Sequence, residues 1–290
     1  MKKLTNMVLG LLLLGSLYPS IANVSDIDWL GRITALGGAE SESWKRKEGV
    51  TLGHAHAIGQ LEALGVVPIF GPFGFQANLA FQGGDGWGLT GTYGPIFDFG
   101  MGKAGLFTSY QTRVLNADAA SAHKNRITRF WRIIPTVSLY DIIPGTNIDI
   151  WHSNPLSTPK STDGKEGDEN KRFIPYSQTR LSVNWFPGFI PFTSRENVEL
   201  TLGVQLNALA GPSHENAALG VGPVFGAAVM PWQNLEVQLF KAWMDNKNRY
   251  QVTTGVQYYF ARGTPSLLQL RRKYLEPTNL PGPVSTQYKF

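Results

Sequence analysis

The sequence predicts an all-β protein: a transmembrane antiparallel up-and-down β-barrel of about twelve strands. Three observations predict it. Segment after segment alternates apolar and polar residues with period two, the period of a strand. The apolar faces are dense, while the opposite faces carry Gln, Asn, Thr, Arg and Glu where a soluble barrel would bury an apolar core. An export signal precedes all of it, and no later apolar run reaches the roughly 20 residues of a membrane helix.

The signal occupies residues 1–22. Lys2 and Lys3 form its charged region, Met7–Leu17 its apolar core, and Ser20-Ile21-Ala22 its small-x-small cleavage site, which puts the start of the mature chain at Asn23. The rival reading, a retained anchor, asks for a longer apolar run. No Cys lies near the cleavage site, so the signal is not of the lipoprotein type.

The barrel is expected over residues 23–260. The first strands are Trp29–Gly37 and Val50–Leu64. Phe73–Gln82 alternates cleanly, with Phe73, Phe75, Leu79 and Phe81 against Gln76, Asn78 and Gln82. Gly83–Gly86 is a tight turn into Trp87–Phe99. Ala104–Leu115 turns Ser109, Gln111 and Arg113 inward, and Ile127–Tyr140 turns Arg132, Thr136 and Ser138 inward. Thr146–Ser153 exposes Ile148 and Ile150. Phe173–Phe186 sets Leu181, Val183 and Trp185 against Arg180, Ser182 and Asn184. Asn197–Leu209 sets five apolar residues against Glu199, Thr201, Gln205 and Asn207. Ala217–Met230 alternates with small glycines, Leu235–Met244 turns Glu236 and Gln238 inward, and Tyr250–Phe260 ends in Tyr-x-Phe.

The connections follow the same plan. With a periplasmic start, the polar stretches Glu40–Gly49, Asn116–Asn125 and Asn154–Arg172 fall outside the cell. Gly100–Lys103, Asp141–Gly145 and Pro231–Asn234 form short periplasmic turns, as in barrels of this kind. Gly65–Pro72 and Pro187–Asn197 are longer and apolar, resting in the interface or extending strands.

The signal, this rhythm and the aromatic-ending Tyr250–Phe260 strand resemble bacterial outer-membrane β-barrel proteins, porin-like as a class. The resemblance implies the outer membrane of a Gram-negative cell, contact with its lipid, and delivery by the barrel assembly machinery, which reads such a C-terminal strand. One departure is plain: in that class the terminal Phe usually ends the chain, whereas here residues 261–290 follow. Ser266–Leu275 suits a short amphipathic helix with Ser266 at its N-cap, and Pro277, Pro281 and Pro283 stop it. Either the barrel closes at Phe260 and leaves a periplasmic tail, or the tail, ending Gln-Tyr-Lys-Phe, adds to the wall. The prolines favour the first.

The chain has no cysteine, which excludes disulfides, thiolate chemistry and Cys-based metal sites. Of the +5 formal charge the signal lysines carry two; the remaining +3 does not argue for nucleic acid. No phosphate-binding loop, dinucleotide motif, nucleophile elbow or zinc-protease motif occurs, and no cofactor is implied. His54 and His56 share a strand face, but two histidines without further ligands make a weak metal site.

Three functions compete. A channel for small polar solutes would be lined by Arg113, Arg132, Arg180, Glu199, Glu236, Gln76, Asn78, Gln111 and Asn207, with the arginines hinting at anions. An outer-membrane lipid hydrolase would use His152 and Ser153, but adjacent residues point to opposite faces unless a bulge intervenes. A structural or adhesive barrel would fill its lumen with its own side chains or with the tail.

Overall fold

In a computed structural model the protein is described over residues 27–45, 51–84, 86–115, 126–156, 160–161, 176–187, 196–209, 219–244 and 250–276. The expected signal of residues 1–22, most of the expected outer loops and the last prolines lie outside the described residues.

The strands are β1 (Leu30–Lys45), β2 (Thr51–Phe70), β3 (Phe73–Gly83), β4 (Gly86–Asp98), β5 (Gly102–Leu115), β6 (Arg126–Tyr140) and β7 (Thr146–Pro155). After the two-residue β8 (Lys160–Ser161) come β9 (Tyr176–Trp185), β10 (Val198–Leu209), β11 (Leu219–Trp232), β12 (Leu235–Met244) and β13 (Tyr250–Phe260). Each long strand pairs antiparallel with the next, and β13 closes on β1 from Gly31↔Phe260 to Ser41↔Tyr250. Closure leaves no sheet edge and satisfies the backbone internally, as a bilayer demands. β8 pairs with β6 beyond the end of β7, so twelve strands form the wall.

The alternation expected from sequence is the alternation found. Leu61, Leu79, Leu202 and Val256 are exposed on the outside, while Gln60, Asn78, Gln205 and Gln257 are buried on the inside. Aromatic rings band the outer face near the short turns: Phe70, Phe73 and Phe97 stack in sequence at 5.0 and 4.9 Å, and Tyr258 meets Phe260 at 5.0 Å. Near the other end Tyr110 meets Trp131 at 4.7 Å. From Phe73 to Phe81 is about 27 Å along the strand, or roughly 20 Å of membrane depth at a 40° tilt. That is close to the apolar band of an outer-membrane barrel.

Several boundaries differ from expectation. β2 runs on through Gly65–Pro68 to Phe70, so the apolar stretch Gly65–Pro72 is strand and only Gly71 and Pro72 turn. Its Val67 and Ile69 face outward and extend the belt. β1 continues to Lys45, taking the first part of the charged Glu40–Gly49 stretch into the wall. The short turns lie at one end. Gly100 and Gly145 adopt positive φ there (82° and 73°), the left-handed backbone that glycine takes without strain.

The chain beyond Phe260 neither adds a strand nor leaves the barrel. It turns at Gly263, whose carbonyl accepts from Gln233 Nε2 at 3.1 Å, and re-enters the lumen at the short-turn end as α1 (Leu267–Arg271). Ser266 caps it: its Oγ accepts from the Gln269 N–H at 3.3 Å, and its own N–H donates to Gln269 Oε1 at 3.0 Å. Leu267, Leu268, Leu270, Tyr274 and Leu275 are buried against Leu64, Ile96, Phe107, Ile134, Trp151 and Met230. The apolar core thus sits inside the short-turn end, supplied mostly by the wall and completed by this segment.

Candidate functional site: the lumen and its C-terminal plug

Of the residues singled out in the sequence as lining the lumen, Gln76, Asn78, Gln111, Arg132, Arg180, Glu199, Asn207 and Glu236 are all buried on the inner face. Arg113 lies on β5 opposite Gly88 and Thr128, and its side chain is outside the described residues. The structure divides the others into two groups. Gln76, Glu199 and Glu236 hold the C-terminal segment. Asn78, Gln111, Arg132, Arg180 and Asn207 make no hydrogen bond or ion pair with it among the described contacts.

Arg271 is the centre of the lower group. Its Nε donates to Glu199 Oε2 at 2.5 Å and its Nη2 to Glu236 Oε1 at 2.7 Å. Its Nη1 donates to the hydroxyls of Tyr259 (2.8 Å) and Tyr274 (2.5 Å). The planar guanidinium suits this fork, because several rigid donors meet fixed oxygens at once. Burial would lower the Arg271 pKa, but Glu199 and Glu236 outweigh it and hold the pKa well above the ordinary value. Glu236 also accepts from Gln257 Nε2 at 2.9 Å and from the Tyr259 hydroxyl at 2.5 Å.

Glu276 forms the second contact. Arg32 Nη1 and Lys241 Nζ each lie 3.2 Å from its carboxylate, and the Tyr274 hydroxyl donates to it at 3.1 Å. Burial would raise its pKa, yet Lys241, Arg271 and Arg32 overcome that and hold it well below the usual carboxylate range. Arg32 is in turn paired with Glu62. Gln76 grips the backbone on both sides of the same turn, donating to the Leu275 carbonyl at 2.7 Å and accepting from its N–H at 2.9 Å. Lys103, paired with Asp98 at 2.7 Å, donates to the Arg272 carbonyl. Arg272 bridges to Asp141 at 2.8 Å.

Lys241, Arg271 and Glu276 are the site residues that strand alternation alone does not single out, whereas Arg32 and Lys103 keep the inward phase of β1 and β5. Lys241 faces inward because β12 bulges: Gln238 pairs with Gly255 but Lys241 with Thr253, one residue too many. Leu239 and Phe240 consequently both face out. A bulge shifts the phase of every later side chain. The signal for Arg271 is the inward Glu199 and Glu236, two carboxylates needing cations, beside a segment that reads Leu-Leu-Gln-Leu-Arg-Arg-Lys.

A polar cavity of about 40 Å³ remains above the segment, lined among others by Arg32, Gln60, Glu62, Asn78, Lys241 and Glu276. Its volume is on the scale of one or two water molecules.

The two histidine candidates do not assemble sites. His152 and Ser153 pair in unbroken register with Thr179 and Gln178, with no bulge between them. Ser153 points inward and its Oγ accepts from Arg132 Nη1 at 3.0 Å, whereas the His152 ring bonds Thr179 Oγ1 at 2.7 Å on the other face. The pair is therefore not a nucleophile and its base. His54 and His56 stand opposite Glu42 and Glu40 on β1, and their side chains are outside the described residues. Among the described residues no group of three metal-ligating side chains forms.

A closed antiparallel barrel with a lipid-facing apolar belt, aromatic bands and a polar interior is the fold of bacterial outer-membrane β-barrels. Comparison with solved structures agrees at the level of fold. An outer membrane channel from Pseudomonas putida F1 superposes with a TM-score of 0.56 at 11% identity, over 83% of this chain and 99% of that one. The translocator domain of the autotransporter NalP from Neisseria meningitidis scores 0.47 at 9% identity, over 89% and 96% of the two chains, too distant to carry weight. No protein-family model matches the sequence, and no curated protein matches it.

Proposed function

We propose that this protein is an outer-membrane channel for small polar solutes, narrowed at its periplasmic end by its own C-terminal segment. The observation that carries the reading is the inner wall. From the loop end down to the plug it presents amides and hydroxyls, among them Gln60, Gln82, Thr90, Gln178, Asn207 and Gln251. A solute leaving water finds hydrogen-bonding partners along such a wall, which is what a diffusive route needs. The likeness to an outer membrane channel supports the fold on which this reading rests.

A second reading, a route for apolar solutes, draws on the collar of Ile96, Phe107, Ile134 and Trp151 inside the barrel. The segment's leucines already cover that collar, so it offers an apolar solute little surface until the segment moves.

Single-channel recording of the full chain in planar bilayers tests the proposal, beside Arg271→Ala and a chain ending at Phe260. Small steps from the full chain, larger in both variants, are expected. Silence from all three, with folding confirmed by heat-modifiable gel mobility, would remove the channel reading. Liposome swelling in a small sugar but not with an apolar solute separates the two solute classes.

A further inference from the structure

Arg180 is 4% exposed, on the inner face of β9, and no carboxylate among the described residues pairs with it. Its Nε and Nη2 both donate to one neutral oxygen, Gln205 Oε1, at 2.9 and 2.5 Å. Its guanidinium lies 5.3 Å from the ring centre of Trp151. These partners are its direct neighbours in register, Trp151 on β7 and Gln205 on β10, so the side chain is held from both sides. Two inward carboxylates are engaged elsewhere: Glu276 is held by Arg32, Lys241 and Arg271, and Asp149, two residues from Trp151 on β7, accepts from Ser138 and Asn184. A buried cation held only by neutral groups keeps unsatisfied positive charge, and it favours an anion as its counter-ligand.

A second cation stands nearby. Arg132, on β6, reaches toward this wall to donate to Ser153 on β7. Gln205 passes the polarity on, its Nε2 donating to Asn207 Oδ1 at 2.9 Å. The two arginines flank β7, which lies six strands from β1 in either direction round the barrel. On β1 stands the buried carboxylate of Glu40, beside Gln251. Charge is not sorted by side, since Asp149, bonded by Ser138 and Asn184, stands on β7 and Arg32 on β1, so the case for an anion rests on the neutral partners of Arg180.

We propose that Arg180, with Arg132, Gln205 and Trp151, forms a binding site in the lumen for small oxyanions, carboxylate or phosphate. This rests on the channel reading and deepens it by naming the solute class. A planar guanidinium fixed by Gln205 and Trp151 presents its remaining N–H donors to two oxygens of one anion. Gln205 orients it without neutralising it.

The test is the reversal potential of the full chain under a potassium chloride gradient, with inorganic phosphate and then acetate added as blockers. Two variants accompany it. Arg180→Gln removes the charge; Gln205→Glu keeps the arginine and supplies it with a carboxylate, so the proposal survives misfolding of either one. Chloride preference in the native chain, reduced in both variants, is expected. So is block by both anions at concentrations at least about tenfold lower than in the variants, the scale of one charge-assisted contact. Block by phosphate alone restricts the site to phosphate. Equal reversal potentials and equal block in all three chains would overturn the site while leaving the channel standing. If no chain conducts, the channel reading falls. Calorimetric titration of the folded chains with phosphate then decides the site: heat lost in Arg180→Gln keeps it, and no heat in the native chain removes it.

Discussion

Removing the guanidinium of Arg271 would leave Glu199 and Glu236 buried with their cation gone. Breaking a buried pair from one side costs on the order of 3–5 kcal/mol. The chain has no native cysteine, so Leu275→Cys gives a clean reporter at a fully buried position. Thiol labelling there is expected to be slow in the native background and at least a hundredfold faster with Arg271→Ala, about 3 kcal/mol in an opening equilibrium. Equal labelling rates would show that Arg271 does not hold the segment. Glu276 makes the docking depend on pH. Its docked pKa lies below its free one, so it stabilises the docked segment above the free carboxylate value, about 4.3. That contribution fades as the pH falls through the lowered docked value. Recordings from pH 7 down to 5 should therefore show no change from this group, and opening should increase only in stronger acid. Glu276→Gln should loosen the segment at pH 7 and remove that acid step.

At the scale of elements, the phase of β12 decides whether Lys241 meets Glu276. Deleting Phe240 would remove the extra residue and leave Lys241 opposite Thr253, still inward, whereas deleting both Leu239 and Phe240 would turn Lys241 and Trp243 outward. Labelling at position 275 should stay slow after the single deletion and speed up after the double one or after Lys241→Ala, which takes the ammonium from Glu276; unchanged labelling in Lys241→Ala would mean Lys241 is dispensable. The seat on β5 works by size instead of charge. A Cβ on Gly105 would stand 2.7 Å from Leu275 Cδ1, so Gly105→Leu should displace the segment with every ion-pairing residue intact. These two elements also show what a sequence can convey. Glu199, Thr201, Gln205 and Asn207 are legible as inward because β10 keeps period two without interruption. Lys241 is not, because one extra residue reverses the phase and Leu-Phe in a row reads equally as a strand end. Arg180 is legible as inward, but its neutral setting is not, since its partners lie on strands whose register is fixed only by closure.

At the scale of the molecule, the barrel and the segment are separable in principle, because β13 completes the wall at Phe260 before the segment begins. A chain ending at Phe260 is expected to keep heat-modifiable mobility and to conduct more than the full chain. Failure to fold would mean that the leucines of α1 are core to the barrel as well as a closure of its lumen.

The plug is the last part of the described chain, and it touches some of the earliest. Gln76 holds Leu275 across 199 residues, and Arg32 holds Glu276 across 244. Contacts so distant along the chain form slowly, after nearer pairings have reduced the entropy of bringing them together. Nor can the segment find its seat until the wall that supplies Glu199, Glu236 and Gln76 exists. Assembly of this protein is therefore expected to take two kinetic steps, a closed cylinder first and a sealed one second. During the interval the lumen of every newly made copy would stand unsealed, and the speed of the second step would set for how long.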